Sequence, residues 1–255
     1  MKWIRYQHQG REGYGLLQGE HVQPCHGSPF GDHEPAGDPL ALQAMRLLPP
    51  CQPRQIVGLW NNFRAAAEKN GWSAPAEPLW FLKSPHALAG PGDAIPVPRG
   101  EVGRVAYEGE LVIVIGRRTE AVSVEQAAAH ILGYTCGNDV TTIELLPRDP
   151  AFAQWSRAKS LPGFAAFGPV IETDFDAAAA SVRTRAGGRE RQHYALADMF
   201  FPPRELVSRL SQDLILEAGD LIYCGTSLGV LPMKPGTTVE VEIDGIGSLV
   251  NTYGG

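Results

Sequence analysis

The chain has 255 residues, of which 44% are apolar, enough for one large domain or one domain with a small appendage. Its 22 basic residues against 28 acidic ones give a formal net charge of −6, and no run of Lys or Arg supplies the basic stripe that nucleic-acid binding requires. No stretch of 18 apolar residues is present, which excludes a transmembrane helix.

The opening MKWIRYQHQG lacks the apolar core of a secretory signal. KWIRY, YGLLQG and EHVQP, within residues 2–23, read as short strands broken by glycines. Gly and Pro then thicken from His26 to Pro39, and ALQAMRLL (Ala41–Leu48) has helical spacing that stops at Pro49-Pro50. Residues 1–50 are thus expected to form a small β-rich unit and residues 51–255 the main domain. QIVGLW (Gln55–Trp60) is its first strand, and NNFRAAAEKNG (Asn61–Gly71) a helix ending in Asn-Gly. LWFLKS, ELVIVIG, FGPVIET, SVRTRAG, DLIYCG, TTVEVEI and GSLVNTY follow as strand candidates. Three helical patterns lie among them: SVEQAAAHIL (Ser123–Leu132), the stretch around FAQWSRA (Phe152–Ala158), and PRELVSRLSQD (Pro203–Asp213). Ser123 and Gln126 have the spacing of a capping box. Strands outnumber helices and do not alternate with them regularly, which argues for an α+β or mostly β class over a doubly wound parallel sheet. Cys25, Cys51, Cys136 and Cys224 form no CxxC pair and read as free thiols. A soluble cytoplasmic protein is the expectation.

YEGELVIVIG (Tyr107–Gly116) places two glutamates on the threshold of an apolar run that reads as a buried strand. Residues two apart on a strand face the same side, about 7 Å apart along it. Glu108 and Glu110 therefore project together, with Gly109 removing bulk from the opposite face. Paired carboxylates repel unless solvent, a proton or a cation compensates them. A hard divalent cation suits such oxygen-only ligands; two exposed strand-end glutamates are the plainer alternative. Asp139, in the polar stretch GYTCGNDVTT after a helix, is a second candidate, with a turn or cap role as its ordinary reading. Lys159, in QWSRAKS, is a third, with a surface charge as its ordinary reading.

Taken together, YEGELVIVIG, GYTCGNDVT, WSRAKSLPGFAAFGPVI, LEAGDLIYCGTSLGV and KPGTTVEVEIDGIGSLVN resemble the fumarylacetoacetate hydrolase family in order and spacing, from about Ile56 to the C-terminus. KSPHALAGPGDAIPVP (Lys83–Pro98) is similar to that family's K-x-P…G…I-x-x-P stretch. The resemblance implies a mixed β-sandwich roll, usually a homodimer, holding Mg²⁺ (or Mn²⁺ or Ca²⁺) on Glu108, Glu110 and Asp139. It implies a small-molecule 2-oxo acid substrate that chelates the ion through its carboxylate and keto oxygens. Hydrolysis of a C–C bond in an acylpyruvate-type 2,4-dioxo acid, through a metal-bound enolate, is the first expected activity. Decarboxylation, as of oxaloacetate, or isomerisation of a 2-hydroxy-diene acid in aromatic catabolism is the alternative. A metal-binding member without catalysis is the rival from another class. Lys159 is implied beside the metal as the catalytic group that meets enolate charge, or as a salt-bridge partner of a metal carboxylate. Thr226, in YCGTSLG, is implied at the substrate end of the pocket, with Lys83 and Arg148 as further substrate-binding candidates.

Two departures accompany the resemblance. Hydrolytic members carry N-Y-x-x-H-x-x-E after the first main-domain strand, whereas NNFRAAAEKNG puts Ala65 or Ala66 at the histidine position. Glu68 is the remaining candidate base there, provided burial raises its pKa, and His86 is the best-placed other histidine. Many members also carry N-D-x-[ST]-x-R-D-x-Q, where NDVTTIELL has Ile143 and Leu146 at the arginine and glutamine positions. The pocket is therefore expected to be less polar at one end, which disfavours a dicarboxylate substrate; Arg148 is the nearby substitute.

Overall fold

The apolar run Leu111–Ile115 becomes the middle of the molecule: all five side chains are completely buried. In the computed structural model, which describes residues 1–255, this run lies on the strand Gly109–Ile115. That strand pairs antiparallel with Ile131–Asp139 on one side and Leu221–Tyr223 on the other. An interior position with apolar residues on both faces needs a packed layer on each side. The continuous Leu, Val and Ile run meets that requirement where an alternating strand would not.

The main sheet runs, in spatial order, from His21–Gly27 through Arg11–Gln18, Lys2–His8, Ala165–Glu172, Ile131–Asp139, Gly109–Ile115, Leu221–Tyr223 and Ile56–Trp60 to Leu79–Lys83. A second sheet orders Gly247–Tyr253, Thr238–Ile243, Ser181–Ala186 and Arg189–Ala195. The two share one hydrophobic core, giving the mostly β architecture with mixed sheets. A short three-stranded ribbon, Val105–Ala106, Thr141–Thr142 and Pro232–Met233, lies beside the ends of the central strands. The first strand joins the main sheet through Lys2 and Trp3, which pair with Glu172 and Ile171.

The helical segments begin at their signals, but the expected Ser123–Leu132 helix is cut short: a 3-10 turn covers Ala128–His130, and Ile131 and Leu132 already belong to the next strand. Ser123 caps Val124–Ala127 with a complete capping box to Gln126. Arg64–Asn70 ends on Gly71 in the left-handed conformation, φ 69°, which glycine adopts without strain. Pro203–Asp213 buries Leu206, Val207 and Leu210.

Three local expectations change. Ala41–Leu48 is not a helix: a 3-10 turn at Leu42–Ala44 leads into the strand Arg46–Leu48, which pairs with Lys2–His8. Eight residues are too few for a stable helix on propensity alone, and the edge of Lys2–His8 offers Arg46–Leu48 a strand partner. Asp139 is not a turn or cap residue: Ile131–Asp139 is a nine-residue central strand, with Thr135, Asn138 and Asp139 buried. Arg189–Ala195 forms a further strand in a hairpin with Ser181–Ala186. Gly187 and Gly188, φ 58° and 74°, make its two-residue turn, which needs φ > 0 at both positions.

Candidate metal centre

Pairing register brings the three acidic residues together. Gly109 sits opposite Asn138 and Glu110 opposite Gly137, so Asp139 lies across from Glu108. The Asp139 backbone N–H donates to the Glu108 carbonyl at 2.8 Å, and the Glu108 N–H to Asn138 Oδ1 at 3.0 Å. One carboxylate oxygen each from Glu108, Glu110 and Asp139 then fall within 4.8 Å of one another. Glu110 and Asp139 are fully buried and Glu108 is half-buried.

Cations already answer part of this charge. Lys159 Nζ lies 2.8 Å from Glu108 Oε2 and 2.7 Å from Asp139 Oδ2. Lys83 Nζ donates to Asp139 Oδ1, and the Thr141 hydroxyl donates to Glu108 Oε1. Burial alone would raise the Asp139 pKa; the ammonium groups of Lys159 and Lys83 outweigh it and hold the carboxyl below its usual range. Burial likewise pulls Lys159 down, but Asp139, Glu108 and Glu110 together push it above the ordinary lysine value. Burial lowers the Lys83 pKa despite Asp139.

Glu110 is the exception. Burial, followed by the charges of Asp139 and Glu108, raises its pKa well above the carboxylate range. Its Oε2 accepts the Gly225 N–H at 2.8 Å, while its Oε1 is buried with no hydrogen-bond partner. Three carboxylates against two ammonium groups leave one negative charge unmatched in a nearly dry site, and a lone buried carboxylate oxygen is costly. An all-oxygen donor set of this size, with one donor unspent, fits a hard divalent cation.

The centre opens into a cavity of about 370 Å³. Glu108, Thr141, Lys159 and Thr226 line its polar part, and Trp60, Trp72, Phe81 and Trp155 much of the rest. The Thr226 hydroxyl donates to the Gly109 carbonyl at 2.9 Å and accepts from Gln192 Nε2 at 2.9 Å, so it is already engaged. Its backbone N–H has no partner within the protein.

Gly109 is fixed on every side. Gln192 Oε1 accepts its N–H, and Tyr194 and Thr226 hydroxyls donate to its carbonyl. A β-carbon on Gly109 would sit 2.0 Å from Thr184 Oγ1. The glycine thus lets the second sheet press against the strand that presents Glu108 and Glu110. Sequence reasoning missed Gln192 and Tyr194. Their signal was the alternation of RERQHYA, which buries those two positions and exposes their neighbours.

Three of the candidate residues stand apart from the cavity lining. Lys83 does not line the cavity: its side chain is wholly buried and pairs with Asp139. Glu68 is exposed and does not line the cavity, so the burial that would make it a base is missing. Arg148 is exposed and donates to the Glu101 carbonyl at 2.7 Å, away from the cavity lining. His86 is exposed and also outside the lining.

Comparison with known proteins follows this geometry. The model for the fumarylacetoacetate (FAA) hydrolase C-terminal domain matches residues 55–253, and an Rv2993c-like N-terminal model matches residues 1–50. An uncharacterised protein of Archaeoglobus fulgidus is 40% identical over 85% of this chain and 85% of its own. Oxaloacetate tautomerase YisK of Bacillus subtilis is 35% identical over 79% of this chain and 70% of its own. The crystal structure of 5-carboxymethyl-2-hydroxymuconate delta-isomerase from Mycobacterium smegmatis superposes with a TM-score of 0.92 at 33% identity, covering 99% of both chains.

Proposed function

Since the chain belongs to the fumarylacetoacetate hydrolase family, we propose that it is a divalent-metal-dependent enzyme acting on a 2-oxo acid through an enolate. Glu108, Glu110 and Asp139 would hold the ion, Mg²⁺ or Mn²⁺ by the hardness of the donors. The observation that carries this reading is the set of three carboxylate oxygens within 4.8 Å, together with a Glu110 oxygen that is buried and unpartnered.

A bound divalent ion supplies Lewis-acid polarisation of a chelated 2-oxo acid. The chain's own groups supply the rest. Lys159 stands at the junction of the carboxylates and the cavity, held protonated by them, and stabilises negative charge that develops on the substrate's keto oxygen. The Thr226 N–H, which has no partner within the protein, would donate to a substrate carboxylate oxygen. Lys83 keeps Asp139 ionised from behind, and Gln192 holds the Glu108–Glu110 strand against the Thr226 loop.

Hydrolysis of an acylpyruvate C–C bond is the first reading of the reaction. Isomerisation or decarboxylation is the second, and one observation favours it: the cavity lining contains no histidine and no carboxylate besides Glu108, so no separate base awaits a water molecule. Incubating the protein with Mg²⁺ and a panel of acylpyruvates and oxaloacetate, while following enol absorbance, acid release and CO₂, separates these outcomes. Turnover that a chelator and Glu110→Ala both abolish supports an enzyme. Bound metal with no change in any substrate makes the protein a non-catalytic metal binder.

A further inference from the structure

Three tryptophans from separate segments meet on one wall of the cavity. Trp60 ends the strand Ile56–Trp60, Trp72 follows the helix Arg64–Asn70, and Trp155 opens the helix Trp155–Lys159. The Trp60 ring centroid lies 4.9 Å from Trp72 and 6.0 Å from Trp155. Trp155 in turn stacks on Phe81 at 5.1 Å, with 17° between the ring planes. All four rings line the same cavity as Glu108 and Lys159.

The short helix Trp155–Lys159 sets where this wall begins. Trp155 and Lys159 are four residues apart, so they stack on one face of the helix. The ammonium of Lys159 reaches the carboxylates, and the indole of Trp155 lies one turn away. A ligand whose head is held at the carboxylate centre therefore leaves its tail among the indoles. Trp72 is 40% exposed, so part of the wall still faces water and gains by being covered.

Charge complementarity points the same way. Besides Glu108 and Lys159, the only ionisable group on the lining is Lys69, which is exposed at the rim. The remaining polar side chains, such as Asn61, Asn70 and Ser227, carry no charge. Leu146 lines the cavity, and Arg148 is turned to the Glu101 carbonyl. No buried cation waits for a second carboxylate, and desolvating one without a partner is costly.

We propose that the Trp60–Trp72–Trp155 wall is the specificity element of the site, selecting 2-oxo acids with a flat apolar, ring-bearing tail over dicarboxylates. The proposal rests on the metal and keto-acid reading above. The head binds at the carboxylate centre; the tail lies against indoles that already pack on one another at tilted angles, so little side-chain freedom is lost on binding.

Binding of N-substituted oxamates to the full chain in Mg²⁺ tests this. Oxamates chelate through a carboxylate and the adjacent carbonyl oxygen, as a 2-oxo acid does, and differ only in the tail: methyl, phenyl or carboxyethyl. Calorimetry and tryptophan fluorescence are read together. Phenyl oxamate is expected to bind roughly tenfold tighter than the other two, from ring stacking and burial, and to quench fluorescence. Trp72→Ala, at an exposed position, and Trp60→Phe should each pull the phenyl-to-methyl ratio toward one. A carboxyethyl tail that binds tightest, with its advantage erased by Lys69→Ala, would overturn the proposal, as would equal affinity for all three. Failure of all three oxamates to bind would instead sink the underlying metal-chelation reading, and the selectivity with it.

Discussion

Gln192 Oε1 accepts the backbone N–H of Gly109 at 3.0 Å, across the join between the two sheets. The same side chain donates through Nε2 to Thr226 Oγ1 at 2.9 Å. Gly109 lies between the two glutamates of the centre, and Thr226 lies on the loop that faces the cavity. One fully engaged, buried amide therefore sets the spacing between the metal-side strand and the substrate-side loop. Gln192 is only 1% exposed, so nothing from solvent replaces it if it is lost.

Gln192→Ala should leave the Gly109 N–H buried without an acceptor, costing about 1–3 kcal/mol. Because that N–H belongs to the strand carrying Glu108 and Glu110, metal affinity should fall along with stability. Denaturant unfolding and metal titration measure the two. A variant unchanged in both would show that Gln192 positions nothing.

Gly109→Ala introduces a methyl group where Thr184 Oγ1 stands 2.0 Å away. The two sheets must separate locally, so unfolding stability should drop and metal affinity with it. Thr184→Ala in the same chain removes the opposing oxygen and should recover part of the loss. A double-mutant cycle that finds the two substitutions additive would contradict this close approach.

Glu110→Gln should act in opposite directions on folding and on metal. Burying Glu110 beside Asp139 and Glu108 requires it to take up a proton, whereas a neutral amide requires none, so the metal-free protein should be as stable as wild type or more so. Metal affinity should fall by at least tenfold, because an amide oxygen is a weaker ligand than a carboxylate. Glu108→Gln should also weaken metal binding. Calorimetric titration showing wild-type affinity in either variant would remove that residue from the ligand set.

The raised pKa of Glu110 fixes a pH dependence. Between its unfolded and folded values the native state holds a proton that the unfolded chain has released. Stability of the metal-free protein from this group is therefore present at low pH and declines as pH rises through that window. A bound cation displaces the proton, so metal affinity should rise with pH and binding should release protons there. Titration in two buffers of different ionisation enthalpy reads the release directly; proton uptake on binding would be the contrary result.

Lys83→Met and Lys159→Met should separate a supporting lysine from a catalytic one. Lys83 is wholly buried on Asp139, and breaking a buried ion pair from one side costs about 3–5 kcal/mol. Its loss should appear in stability first. Lys159 pairs with the same buried carboxylate and also lines the cavity, so its loss should lower stability and, in addition, kcat for any 2-oxo acid that the wild type turns over. The same thermal shift and the same kcat loss in both variants would erase the distinction.

Several features were legible before any coordinates because they depend on neighbours in the chain. The pleat of a strand puts Glu108 and Glu110 on one side, and the apolar run behind them demands burial. The capping box at Ser123 and the glycine after Asn70 mark helix ends by local hydrogen bonding. Ile131–Asp139 was hidden because its first two residues continue a helical pattern and Gly133 and Gly137 interrupt it, and only the strands on either side supply partners for its backbone.

The amino-acid order by itself determined the family, the mostly β class and the paired glutamates, since these follow from periodicity and from motifs read along the chain. Only the tertiary structure decided that Lys83 supports Asp139 from behind, that Gln192 clamps Gly109, and that Trp60, Trp72 and Trp155 form one wall. Those relationships join residues 12 to 95 positions apart, and the register of pairing between distant strands, which no local pattern encodes, sets which of them meet.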